Sequence, residues 1–143
     1  DEGLWKQLIA EFNEVKDRVE ARGIRLGYHN HQHEFTARHD GKTPFERLVG
    51  AGLDFELDVG HVKLANEDPV RWLGRLGGRV PTIHAKPGGG YAIGDSNDRN
   101  DWPAIFRAAR AAGTRWAIVE CEERRDTFED VERSAAYLKE LMI

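Results

Sequence analysis

Cysteine is almost absent: Cys121 is the one thiol in 143 residues. The chain therefore cannot close an internal disulfide and has no CxxC pair for a metal. Long apolar runs are missing as well, since nothing approaches the roughly 18 consecutive residues that read as a membrane span. No membrane partner is expected. Nor is there a surplus of positive charge. Lys and Arg total 21 against 25 Asp and Glu, a formal net charge of -4. Without a basic excess to neutralise a phosphate backbone, nucleic acid is not an expected partner. The first residue is Asp1 rather than Met, which leaves an upstream segment or a removed signal peptide open. The lack of disulfides favours the cytoplasm.

What is present fits one globular domain over residues 1–143, 40% hydrophobic and 32% charged. A chain of this length hides about 70% of its unfolded surface, enough for a core without staples. The opening stretch reads as an amphipathic helix, with Leu4, Leu8, Phe12, Val15 and Val19 on one face, ended by Gly23. Four short apolar segments, Ile24 to His29, Phe55 to Val59, Val80 to Ala85 and Trp116 to Cys121, read as strands covered on both faces. Each is followed by a helix whose start is marked: Thr43, Pro44 and Glu46 form a capping box, Asp68 precedes Pro69, Asp101 precedes Trp102 and Pro103, and Thr127 pairs with Asp130. Strands about 30 residues apart with helices between them predict parallel βα units. His39, beside Asp40 and Gly41, reads as part of a polar turn, and Trp5, Phe12 and Phe106 as core. Pro87 to Asn100 is a long Gly- and Asp-rich loop, of the kind that is functional or mobile; Gly88 to Gly90 could line a closing lid or form only a flexible tip.

The rarer polar residues gather at the carboxyl ends of these strands. His29, Asn30, His31 and Glu34 follow the first; Asp58 and His61 the second; His84 and Lys86 the third; Glu120, Glu122 and Glu123 the fourth. In parallel α/β folds these ends share one rim, where active sites are built. Converging Asp, Glu and His can hold one divalent cation, Mn, Mg, Co or Zn, or act as acids and bases. The candidate ligands are Asp58, His84 and Glu120, completed by Glu34 or His29. Plainer roles compete: Asp58 can cap the turn after its strand, Glu120 can pair with Arg124 or Arg125, and a strand-end histidine can be structural.

Five segments, GYHNHQHEF (27–35), ELDVGHVK (56–63), GRVPTIHAKP (78–87), DWPAI (101–105) and IVECE (118–122), resemble, in order and spacing, the xylose isomerase-like TIM-barrel superfamily of sugar phosphate isomerases and epimerases. That superfamily also holds inosose dehydratases, ketose 3-epimerases and endonuclease IV. The resemblance implies an α/β parallel half-barrel, four βα units matching the last four strands of a TIM barrel, preceded by one helix. It also implies a metal held by Glu, Asp, His and Glu. Asp58, His84 and Glu120 match the last three. His29 stands where the first Glu would be, and Glu34 is the expected replacement. His61 matches a histidine that contacts substrate hydroxyls. Lys86 matches the lysine of an HxKD pattern whose Asp is here Pro87.

The activity implied is metal-dependent isomerisation or epimerisation of a keto or aldo sugar, by proton abstraction next to a carbonyl. Glu120 is then one base, and Glu34, His31 or Lys86 the second group; His29, His61 and Lys86 line the substrate. With one of the usual bases missing, dehydration or keto-sugar lysis is the runner-up, and a non-catalytic sugar-binding module a third reading. DNA repair is disfavoured: the 87–101 loop has Asp95, Asp98 and Asp101 but no histidine for the Asp-x-His pair of a trinuclear site. A full barrel needs eight strands and about 250 residues, so the expected partners are a small carbohydrate and either a second copy closing a homodimer or the rest of a longer chain.

Overall fold

The computed structural model describes residues 2–121 and 127–141. Its elements are α1 (Glu2–Glu20), β1 (Gly27–His29), α2 (His33–Thr36), α3 (Pro44–Gly50), β2 (Asp54–Asp58), α4 (Val59–Leu64), α5 (Pro69–Leu76), β3 (Thr82–Ala85), α6 (Trp102–Ala111), β4 (Trp116–Val119) and α7 (Thr127–Leu141). The strands form one parallel sheet in sequential order, β1-β2-β3-β4. Parallel neighbours joined by helices make this a partial barrel.

The helix starts follow from their caps. Thr43 Oγ1 accepts from the Glu46 amide at 3.1 Å while Glu46 Oε2 accepts from the Thr43 amide at 2.9 Å, the reciprocal bonds of a capping box. Asp68 accepts from Val70 N, and Asp101 from Ala104 N, each with a proline in the first turn. The Thr127 side chain lies outside the described residues, as do Glu122, Glu123, Arg124 and Arg125. His39 and Lys42 bridge across Asp40 and Gly41, both at positive φ, which is the expected polar turn. Trp5, Phe12 and Phe106 pack against the core.

Two features depart from expectation. The first strand begins at Gly27, not Ile24, because the ladder starts only where Gly27 meets Asp54; Ile24 is exposed, and Arg25 Nε donates to Asp54 Oδ2 at 2.6 Å. More consequentially, the strands are not covered on both faces. Phe55, Leu57, Ile83 and Ala85 are fully buried in a core with Leu48, Trp72, Leu73 and Ile105 from the helices. The alternate residues Glu56, Thr82 and His84 are only half-buried, and Trp116 and Ile118 are 67% and 45% exposed. Period-two alternation puts acids and histidines on one face and aliphatics on the other, so the helices cover only the second.

The Gly-rich loop is fastened rather than free. Asp98 accepts from Gly88 N, Asn100 N, Gly94 N and Trp102 Nε1 at 2.6–3.1 Å. Asp95 accepts from Tyr91 N and Ala92 N and pairs with Arg133 of α7. At Gly94, φ is +83° and a Cβ would stand 2.6 Å from Tyr137, so only glycine fits. A hinged lid is not what these bonds build. Among the described residues no helix is long and apolar enough to cross a membrane.

Candidate metal centre

β2 ends in Asp58, which is fully buried and does two things at once. Its Oδ1 accepts from the His61 amide at 2.7 Å and so caps α4. Its Oδ2 has no hydrogen bond. The backbone around it is clamped by Asn30, buried just past β1: Asp58 N donates to Asn30 Oδ1 at 3.0 Å, and Asn30 Nδ2 donates to Asp58 O at 3.2 Å. The capping role weighed against ligation is therefore real, and it leaves the second oxygen available.

Parallel register pairs Asp58 with His84 and His29 with Glu56, which turns those side chains to one face. His84 Nδ1 lies 3.7 Å from Asp58 Oδ2 and 2.5 Å from Glu120 Oε2, and His29 Nε2 lies 4.0 Å from Asp58 Oδ2. One donor atom from each of His29, Asp58, His84 and Glu120 falls within 4.8 Å of the others. Asp58 Oδ2, His84 Nδ1 and Glu120 Oε2 are all buried without a well-directed hydrogen bond. His84 Nδ1 pairs closely with Glu120 Oε2 and faces Asp58 Oδ2, so all three atoms point into one small space.

Charge follows the same geometry. The Asp58 contact and the nearby Glu56 and Glu120 carboxylates raise the His84 pKa despite its burial. Partial burial and the neighbouring His84 push the His29 pKa down. Glu120 Oε1 faces the other way and accepts from Lys86 Nζ at 3.3 Å. Lys86 is buried, and Gly60 allows this: a Cβ there would meet Lys86 at 2.7 Å.

Glu34 does not join this group. It sits on α2, buried, and its carboxylate accepts from Tyr28 Oη at 2.8 Å and from His31 N at 2.6 Å, with His33 Nε2 at 3.1 Å. Both oxygens are engaged, and burial together with Glu34 drives the Tyr28 phenol pKa far up. The geometry groups His29, not Glu34, with Asp58, His84 and Glu120. His61 is buried beneath His31, their rings 4.9 Å apart, while His31 is exposed at the rim.

Sequence reasoning passed over Glu56. Its Oε2 lies 3.2 Å from His84 Nε2, so it holds the ring from behind with Nδ1 facing the cluster, as carboxylates behind metal-binding histidines do. Its place two residues before Asp58 on the same strand face was the available signal.

The xylose isomerase-like TIM-barrel family model matches residues 1–141. The chain belongs to that family. Two solved structures titled sugar phosphate isomerase/epimerase from Parabacteroides distasonis ATCC 8503 are similar to it. One is 30% identical with a TM-score of 0.83 and the other 26% identical with a TM-score of 0.80, each match covering 94% of this chain and 53% of the solved one. A structure of L-ribulose 3-epimerase shares the fold at 15% identity and a TM-score of 0.73, over 96% of this chain and 53% of the solved one. This family member thus spans about half the length of these solved relatives. No curated protein matches it.

Proposed function

We propose that this chain carries the metal-binding half of an active site that isomerises or epimerises a sugar beside its carbonyl. The observation that supports this most is the convergence of donor atoms of His29, Asp58, His84 and Glu120 within 4.8 Å of one another, with Asp58 Oδ2 buried and without a well-directed hydrogen bond. Leaving the buried Asp58 Oδ2 unpaired costs roughly 1–3 kcal/mol, a cost that a bound cation would remove. Two carboxylates and two imidazoles suit Mn, Co or Zn, and Mg less well. When bound there, a divalent cation supplies Lewis acidity toward a sugar carbonyl or hydroxyl oxygen.

The remaining work belongs to the chain's own groups. Glu120 takes the proton from the carbon beside the carbonyl, and the C–H electron pair moves into the carbon–carbon bond as the oxygen gains charge. Return of a proton to the opposite face inverts that carbon, and return to the neighbouring carbon shifts the carbonyl. The Lys86 ammonium at 3.3 Å holds Glu120 in place and can donate to a substrate oxygen. His61 reaches the sugar hydroxyls from below, and His31 at the rim is the candidate for the second proton carrier.

Elimination is the second reading, favoured by one observation: Glu120 is paired with the Lys86 ammonium, which sets a base beside an acid. One base and one acid serve loss of water or of a glycosyl group beside a keto group. Incubation with keto- and aldo-sugars in deuterium oxide separates the readings. Deuterium in an isomeric product supports the first, loss of water or aglycone supports the second, and neither, under metal-replete conditions, refutes both.

A further inference from the structure

Two uncovered surfaces at opposite edges of the sheet match one another. α1 lies beside β1, with Phe12 against Tyr28 at 6.3 Å between ring centroids. Its inner face, Trp5, Ile9 and Phe12, packs on the core, but Leu4, Leu8 and Val15 form a neighbouring stripe that is exposed. At about 100° per residue these side chains fall within about 40° of one another, so the apolar face of α1 is wider than this chain covers. Glu11 and Glu14 are exposed along the flank of that stripe, Lys6 projects from the opposite side of the helix, and the next exposed base, Arg18, lies beyond Val15.

Past β4, at the other edge, a groove of about 440 Å³ is lined by the partly buried Phe106 and Leu141 and by the exposed Arg107 and Arg110, between α6 and α7. Through Phe106 and Arg110 it continues into a hollow of about 240 Å³ that ends at Arg115 and the exposed Trp116. No carboxylate is among the described lining residues, and neither Arg107 nor Arg110 meets one elsewhere among the described residues. The groove is apolar at its base and positive along its walls. It suits a helix that carries an apolar stripe flanked by acids.

We propose that this helix is α1 of a second copy of the chain. Within one chain α1 and the groove stand on either side of the four-stranded sheet, roughly 14 Å across at about 4.8 Å per strand, so α1 can fill only a partner's groove. A two-fold axis makes the contact reciprocal. Each α1 sets Leu4, Leu8 and Val15 over the other copy's Phe106 and Leu141, with Glu11 and Glu14 beside its Arg107 and Arg110, and the pair closes without extending into a fibre. Burial of the exposed stripe drives the contact, while the charges select partner and register. No residue of the metal centre takes part, so the pairing and the proposed function stand or fall separately.

Sedimentation velocity of the full chain over a dilution series tests the pairing, with circular dichroism and melting curves confirming that each variant folds. The unaltered chain is expected at twice its 16.2 kDa. Arg107→Glu with Arg110→Glu, and separately Glu11→Arg with Glu14→Arg, set like charges against each other at both contacts, and each pair of changes should weaken the dimer about 100-fold or more. Mixing the two variants restores opposite charges at both contacts and should return the mass to two chains. A monomeric unaltered chain, a mass that climbs past two chains with concentration, a dimer that survives either reversal, or a mixture that stays monomeric each overturns the pairing.

Discussion

Asp58 offers a way to separate what holds the fold from what holds the metal, because its two oxygens do different things. Oδ1 caps α4 through the His61 amide at 2.7 Å, and Oδ2 joins the donor cluster. Asp58→Ala removes both. Loss of an N-cap costs about 1 kcal/mol, which in a chain of this size lowers Tm by roughly 2–4 °C. Asp58→Asn keeps an oxygen to accept from His61, so the metal-free variant is expected to melt within about 1 °C of the unaltered chain by the same scaling. Metal binding should separate the variants from the parent in the opposite grouping. Changing a residue that merely supports a ligand costs 10–100-fold in metal affinity as a rule of thumb, so removing a direct donor should cost at least about 100-fold. At a free metal concentration of about 100 times the parent Kd, binding stabilises the parent by about 2.7 kcal/mol and either variant by only about 0.4 kcal/mol. Scanning calorimetry with chelator and with Mn, Co or Zn reads all of these quantities. If Asp58→Asn retains the metal-induced rise in Tm, or if it loses as much metal-free stability as Asp58→Ala, the division of labour argued for Asp58 is refuted.

Three further outcomes follow from other contacts. Glu56→Leu removes the carboxylate behind His84 and should weaken metal binding about 10–100-fold, whereas Glu56→Gln, still able to accept from Nε2–H, should recover much of it; equal affinities measured by titration calorimetry would contradict the positioning role. Asp98→Asn leaves one acceptor oxygen where four N–H groups converge and, with the site partly exposed, should cost about 2–3 kcal/mol by denaturant titration; a change under about 0.5 kcal/mol would show the loop is not fastened as described. Glu46, held below the ordinary carboxylate range chiefly by the Thr43 amide in the capping box, stabilises the folded state above the unfolded-chain pKa and loses that contribution as pH falls through its lower folded value. Glu46→Gln should therefore narrow the stability gap to the parent as pH drops toward 3, and a gap that does not change with pH would contradict this.

Much of this was readable from residue order alone. Parallel βα units follow from apolar segments at regular spacing, and the starts of α3, α5 and α6 follow from Thr43, Asp68 and Asp101 because a cap is a local bond between residues three or fewer apart. The gathering of His29, Asp58, His84 and Glu120 is also implied once the strands are parallel, since each residue ends or follows its strand. What escaped the sequence depends on contacts distant along the chain. Glu34 looked like a free carboxylate, and only the folded turn shows Tyr28 and the His31 amide occupying it. Glu56 read as one more strand residue until register set it behind His84. The 87–100 loop carried the composition of a mobile segment, but its acids are spent on its own amides and on Arg133. Strand apolarity misjudged burial for the same reason: Trp116 and Ile118 are strand formers, and which face meets helices is decided by neighbours rather than by the residues themselves.

The central claim is that a cation belongs among His29, Asp58, His84 and Glu120. Anomalous diffraction from a crystal of the protein grown with Mn, recorded on both sides of its absorption edge, tests it most directly. A single strong peak at about 2.0–2.3 Å from the four donor atoms is the predicted result. A map without a peak there, or with the peak on Glu34 instead, would contradict it.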